Sequence, residues 1–245
     1  MSILPFRTAT LSHTGGRAYN EDACGHRDGC WVLADGLGGH GGGEVASRIA
    51  VDTVLSTLAP MRAPIGVPSA ADLAEAIAAA NRAVQAGQQT DPRLERMRTT
   101  LVVLASDGRE ALWAHVGDSR LYHFRDGRVR FQTADHSVPQ VMVKAGEIRP
   151  AEIRFHEDRN RLLRTLGNPD EARPTLAETP MPLQAGDVFL LCTDGFWEYV
   201  TEAEMEVTLA KTAAPDQWLQ AMTVRLLGRA PPNHDNFSAI GVFVG

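Results

Sequence analysis

Two hydrophobic spacings alternate along the chain, and they separate its strands from its helices. Phe6 to Ser12 and Cys30 to Ala34 read as strands, the second a short apolar run ending in Asp-Gly. After a glycine-rich run from Gly36 to Gly43, Val45, Ile49, Val54 and Leu58 keep near-helical spacing, with Pro60 as the stop. Leu73, Ile77, Ala80 and Val84 predict a second helix, capped by Ser69 with Asp72 three residues on. The period then shortens. Thr99 to Ala105, Ala111 to Val116 and Arg120 to Phe124 predict strands, and Asp126-Gly127 predicts a hairpin into Arg128 to Gln132. Ser137 and Gln140 fit a capping box that opens a short helix through Lys144. Strands return at Thr175 to Glu178, Val188 to Cys192 and Phe237 to Val244, with helices near Glu202 to Ala210 and Asp216 to Leu227. Between Gly146 and Pro174 the chain is polar, and only Leu162 to Leu166 looks helical.

Strands linked mostly by hairpins, in blocks between helices, point to an α+β fold with antiparallel sheets covered by helices. No linker composition and no internal repeat divides the 245 residues, so a single domain over 1–245 is expected. At 44% hydrophobic and 22% charged, the chain can build a large core. Its formal charge of −6 argues against nucleic acid as a partner. The three cysteines, Cys24, Cys30 and Cys192, lack metal-motif spacing and fit a reduced, cytoplasmic protein. No apolar stretch is long enough to span a membrane, and the first residues carry no signal-peptide pattern.

The informative feature is the placement of aspartates. Asp35 and Asp194 each follow an apolar run, Asp118 sits in a turn between two strands, and Asp235 precedes the last strand. Taken singly, each is a common turn residue. Taken together, carboxylates at strand ends converge on one sheet edge, where a cation relieves their repulsion. Oxygen donors without a His or Cys set favour Mg²⁺ or Mn²⁺ over Zn²⁺. Arg17, in Gly16-Arg-Ala-Tyr-Asn-Glu-Asp22, could fork onto a phosphate if it lies near that edge, or pair with Glu21 or Asp22 on the surface.

Arg17-x-x-Asn20-Glu21-Asp22, Ala34-Asp35-Gly36-Leu37-Gly38-Gly39-His40, Gly117-Asp118-Ser119-Arg120, Cys192-Thr193-Asp194-Gly195 and Asp235-Asn236 follow one another in order. Together they resemble the motifs of the metal-dependent type 2C serine/threonine protein phosphatases. Asp135-His136-Ser137 and Leu163-Arg-Thr-Leu-Gly167 match the bacterial branch. The resemblance implies an α/β/β/α sandwich, two antiparallel sheets flanked by helices, with two or three Mn²⁺ or Mg²⁺ ions at one end. Asp35, Asp194 and Asp235 would bind the first ion, and Asp35 with the Gly36 carbonyl the second. Asp118, with Asp194, would bind a third. Glu21 and Asp22 would orient waters, Asn236 would support Asp235, and Arg17 would grip the phosphate.

The implied reaction is hydrolysis of phosphoserine or phosphothreonine by a metal-activated water, without a phosphoenzyme. Eukaryotic members place a histidine after the Asp-Gly pair, where this chain has Leu37, so the general acid is unassigned and His40 and His136 are candidates. Residues about 138–173 correspond to the family's flap, beside the active site. A phosphoprotein substrate, a cognate Ser/Thr kinase and a monomeric state complete the expectation. A small-molecule two-metal phosphoesterase and a non-catalytic phospho-sensor are the alternatives. A deep closed pocket would favour the first, and a missing carboxylate the second.

Overall fold

A computed structural model describes residues 3–27, 29–38, 42–59, 66–168 and 172–245. Strands β1 (Phe6–His13), β12 (Phe237–Val244), β11 (Val188–Cys192), β7 (Arg120–Arg125) and β8 (Arg128–Gln132) form one sheet in that order. The second sheet runs β10 (Met181–Pro182), β6 (Glu110–Val116), β5 (Leu101–Ser106), β3 (Cys30–Leu37) and β2 (Asp22–Arg27), with β4 (Arg98–Thr99) on β3 and β9 (Thr175–Leu176) on β6. Every pairing is antiparallel.

Side-chain alternation sorts each central strand between two cores. Trp31, Leu33, Val102, Leu104, Phe189, Leu191, Ile240 and Val242 meet between the sheets. Val32, Ala34, Val103 and Ala105 face outward onto helices α1 (Gly42–Leu58) and α2 (Ala70–Gln88). On the other side, Val188, Leu190, Cys192 and Phe237 pack on α5 (Glu202–Leu209) and α6 (Pro215–Leu227). The result is the expected α/β/β/α sandwich. Strands buried on both faces also explain why these segments read as unbroken apolar runs.

Ser69 caps α2 as expected, with Asp72 completing a capping box, and Asp126 and Gly127 both take positive φ in the hairpin turn. Other expectations change. On α1 the buried stripe is Ala46, Ala50 and Val54, with Val45 and Ile49 only half-buried, because small residues seat the helix against the sheet. The predicted stop Pro60 lies outside the described residues. The capping box at Ser137 does not form. Helix α3 (Val138–Ala145) starts with the Val138 N–H bonded to the Arg161 carbonyl, and Ser137 Oγ is buried without a partner. Leu162 to Leu166 is not helical, since Leu162 bridges to Ser137 and Leu166 to Thr99 across the fold.

The polar stretch after α3 is anchored rather than free. Arg154, in a 3₁₀ turn at Pro150–Phe155, is buried against the Trp197 and Val200 carbonyls and forks onto Glu202. The Trp197 carbonyl ends helix α4 (Asp194–Trp197) and the Val200 carbonyl lies in the turn that follows, so the guanidinium caps the C-terminal end of that helix.

Candidate metal centre

Three backbone devices bring the aspartates together. Asp35 lies inside β3, which continues through Gly36 and Leu37 beyond the end expected from the sequence; its N–H donates to Thr100 Oγ1 and its carbonyl accepts from the Thr100 N–H and Thr99 Oγ1. Thr100 Oγ1 also shares a 2.7 Å hydrogen bond with Ser119 Oγ, tying the Asp118 turn to Asp35. Asp194 does not end a strand as expected: β11 stops at Cys192, and Asp194 begins α4. Asn236 holds the third piece. Its side-chain oxygen accepts from the Glu21 N–H, and its amide donates to the Thr14 and Tyr19 carbonyls, stapling the 14–21 loop beside Asp235.

The glycines after Asp35 and Asp194 serve close packing. A Cβ at Gly36 would lie 2.1 Å from the Gly43 carbonyl oxygen, and one at Gly195 would lie 2.0 Å from that of Asn236. Gly43 therefore belongs to a tight backbone contact at the head of α1.

Asp35, Asp118, Asp194 and Asp235 line one cavity of about 440 Å³, together with Arg17, Glu21, Gly36 and Asn236. Asp22 stands directly opposite Asp35 in the β2–β3 register and is buried, with Oδ2 accepting from Thr193 Oγ1 and Oδ1 unpartnered. It lies behind the cavity wall. Strand β2 is absent from the hydrophobic pattern because Asp-Ala-Cys-Gly-His-Arg has no apolar alternation. Arg17 pairs with Asp235 at 2.8 Å, and neither with Glu21 nor with Asp22.

Burial, then repulsion from Asp194, Asp22, Asp118 and Asp235, holds the Asp35 carboxyl well above the usual carboxylate range. Burial and Asp194 do the same for Asp118, and burial and Asp235 raise Asp194. Asp22 is pushed up to about 8, chiefly by burial, and Glu21 is raised mainly by burial as well. Buried oxygens that repel one another, with one orphaned at Asp22, fit hard divalent cations. Among the described residues no three His, Cys, Asp or Glu side chains stand already converged on an ion position, and Asp235 is turned to Arg17.

The histidine candidates fare differently. His40 lies outside the described residues. His136 does not line the cavity: Nδ1 accepts from the Gly117 N–H and Nε2 meets Thr175 Oγ1. Burial and its neighbours His115, Arg164 and Lys144 push its pKa down to about 3. The structure thus places His136 away from the cavity, with both ring nitrogens engaged elsewhere. Two neighbours escaped the sequence reading. Trp197 Nε1 donates to the Asp118 carbonyl at 3.0 Å, and Glu198, one helical turn after Asp194, accepts from Arg159 Nε at 2.6 Å. Burial and Asp194 raise Glu198 to about 7. Its i, i+4 spacing from Asp194 was the available signal.

The two-sheet sandwich and its acidic cavity define an α+β protein with an oxygen-donor cleft at one end of the sheets. Residues 11–226 match the protein phosphatase 2C family, and the chain belongs to that family. It is 35% identical over 218 residues to the serine/threonine protein phosphatase PstP of Mycobacterium tuberculosis, covering 89% of this chain and 41% of that protein. It is 33% identical over 183 residues to the protein phosphatase PhpP of Streptococcus pneumoniae, covering 71% of this chain and 70% of that protein. This chain thus spans under half the length of the mycobacterial relative. A crystal structure of the PstP catalytic domain with two manganese ions superposes with a TM-score of 0.84 at 32% identity, over 98% of this chain and 99% of that one. The Stp1 phosphatase of Staphylococcus aureus gives 0.84 at 29% identity, over 97% and 94%.

Proposed function

We propose that this protein is a Mn²⁺- or Mg²⁺-dependent phosphatase of phosphoserine and phosphothreonine in proteins. The observation that carries the reading is the meeting of Asp35, Asp118, Asp194 and Asp235, far apart in sequence, with Arg17 on one cavity of a protein phosphatase 2C chain. Asp35, the Gly36 carbonyl, Asp194 and Asp235 would hold two ions, and Asp118 with Asp194 a third. Bound divalent ions supply Lewis acidity that activates water and neutralises charge on phosphoryl oxygens.

The chain's own residues do the rest. Arg17, with 55% of its side chain exposed, is placed at the rim to take two phosphate oxygens through its fork. Asn236 keeps the 14–21 loop, and so Arg17, in register with Asp235. Glu21 at the wall and Asp22 behind it are the acceptors that would order water at the ions. The rim is open, with Tyr19 69% exposed beside Arg17, which suits a phosphorylated protein segment better than an enclosed small molecule. All five motif carboxylates and Glu21 are present, against a non-catalytic sensor.

Residues about 138–173 would act as the flap beside this cleft, and Asn160 and Leu162 already line it. A single domain over 1–245, a monomer, a cytoplasmic signalling role and a cognate Ser/Thr kinase complete the proposal. No helix among the described residues is long and apolar enough to cross a membrane. The test is hydrolysis of p-nitrophenyl phosphate and a phosphothreonine peptide before and after chelation. Activity should vanish and return with Mn²⁺; turnover that survives chelation would overturn the reading.

A further inference from the structure

The Gly117–Asp118 turn is gripped by two buried side chains that belong to neither neighbouring strand. His136 binds the Gly117 peptide unit from both sides: its own N–H donates to the Gly117 carbonyl at 2.9 Å, and its Nδ1 accepts from the Gly117 N–H at 3.1 Å. An imidazole nitrogen that accepts from a backbone N–H carries no proton. The ring is therefore the neutral Nε2–H tautomer, with Nε2–H directed to Thr175 Oγ1 at 2.8 Å rather than accepting from Arg164 Nη1, which lies farther off at 3.3 Å. His115 stacks on it with centroids 4.5 Å apart and planes within 8°, which fixes the ring plane.

Trp197 holds the next peptide. Its indole N–H donates to the Asp118 carbonyl, and the Arg120 guanidinium lies 3.5 Å from its ring centroid while forking onto Asp135. Trp197 ends the helix that Asp194 begins. The backbone of Asp118 is thus bonded to the element that carries Asp194, and the preceding peptide is bonded to His136. Gly117 has φ +99°, a conformation that few other residues would take, so the turn depends on outside contacts to stay in place.

We propose that His136 and Trp197 are positioning residues that fix the Gly117–Asp118 backbone and thereby set the Asp118 carboxylate against Asp194. The inference rests on the reading of those two aspartates as shared ligands of one ion. His136 acts through Nδ1 alone in this role, and its Nε2 bond to Thr175 serves the segment that returns from the flap.

Asparagine places its side-chain oxygen near the Nδ1 position, and glutamine places its polar group near Nε2. That difference separates the two arms of the ring. The experiment is calorimetric titration of the full chain with Mn²⁺, for wild type, Asp118→Asn, His136→Asn, His136→Gln and Trp197→Phe, with a thermal melt of each. Asp118→Asn should abolish the weakest Mn²⁺ binding event. His136→Gln and Trp197→Phe should weaken that same event about tenfold, the effect of losing one buried hydrogen bond, and leave tighter binding unchanged. His136→Asn should restore it. Long-range proton–nitrogen NMR of the wild type should show Nδ1 of His136 unprotonated.

If Asp118→Asn loses the event while His136→Gln and Trp197→Phe bind as wild type, the positioning role is wrong and the ligand reading stands. Equal weakening by His136→Asn and His136→Gln also overturns the proposal, as does a protonated Nδ1. If Asp118→Asn binds like wild type, the ligand reading itself fails and takes the proposal with it. Should His136→Gln fail to fold, Trp197→Phe and the NMR measurement still decide.

Discussion

Arg17 Nη2 stands 2.8 Å from Asp235 Oδ2, so the residue proposed to grip phosphate is bonded to a carboxylate proposed to hold metal. The pair is half exposed, and its removal is worth no more than about 1 kcal/mol. Arg17→Ala should therefore act on ligands rather than on folding. Loss of a forked cation raises KM for a phosphopeptide about tenfold or more. Loss of a positive charge beside Asp235 should leave Mn²⁺ affinity equal or higher. Calorimetry and steady-state kinetics check the two halves; an unchanged KM would remove Arg17 from substrate binding.

The buried acids also set a pH dependence for the metal-free protein. Asp22 has a folded pKa of about 8, raised first by burial and then by Asp194 and Asp235, against 3.8 for a free side chain. A raised pKa means the folded state holds the proton more tightly. Its stabilising contribution is complete below the unfolded pKa and is lost as pH rises towards 8. His115 and His136, whose pKa values are lowered by burial, contribute in the opposite sense, and that effect is finished by about pH 7. From pH 7 to 8, in chelator, the melting temperature should fall for wild type and fall less for Asp22→Asn. Mn²⁺ should flatten the wild-type slope by favouring the ionised cluster. A metal-free melting temperature that rises over this interval would contradict the burial assignment.

What could be read from the sequence depended on whether a residue acts through its own segment or through a distant one. β11 and β12 announce themselves because both faces are buried; Asp118 and Asp235 announce themselves by standing beside strand ends, and Asp35 by closing an apolar run, although β3 continues to Leu37. β2 does not, because its six residues gain their conformation by pairing with β3. Asp194 was legible as a site residue but not as the start of a helix, since α4 is one turn long and held by the Asn236 backbone and Arg154. His136 was visible only as a motif histidine. Its true contacts, Gly117 and Thr175, are 19 and 39 residues away. Trp197 gave no signal at all: it is a buried core residue with one polar atom that matters.

Gly195 tests whether packing places Asp194. A Cβ there would sit 2.0 Å from the Asn236 carbonyl oxygen and 3.4 Å from Asp235 Cβ, so either α4 or the Asp235 turn must move. Gly195→Ala should cost about 1–3 kcal/mol, as overpacking does. It should also weaken Mn²⁺ binding in variants that remain folded at 15 °C, a working temperature on the order of that of maximum stability. Wild-type Mn²⁺ affinity in a folded Gly195→Ala protein would show that the helix adjusts without disturbing the ligands.

The Asp187 cluster gives the contrasting case, a buried charge without a part in the site. Asp187 is fully buried, with both oxygens forked by Arg125 and Oδ1 3.2 Å from His123 Nε2. Burial opposes its ionisation, but the Arg125 hydrogen bonds and the nearby His123 ring win and hold the carboxyl well below the usual range. Its backbone carbonyl accepts from the Val244 N–H at the end of β12, so the group locks the β11–β12 end of the sandwich. Asp187→Ala should destabilise the fold by about 3 kcal/mol, because one partner of a buried pair is left uncompensated. The urea midpoint should drop accordingly while Mn²⁺ affinity and kcat stay at wild-type values below the transition. A change in metal affinity would mean that this cluster and the carboxylate cavity are coupled through β11, whose last residue, Cys192, lies two positions before Asp194.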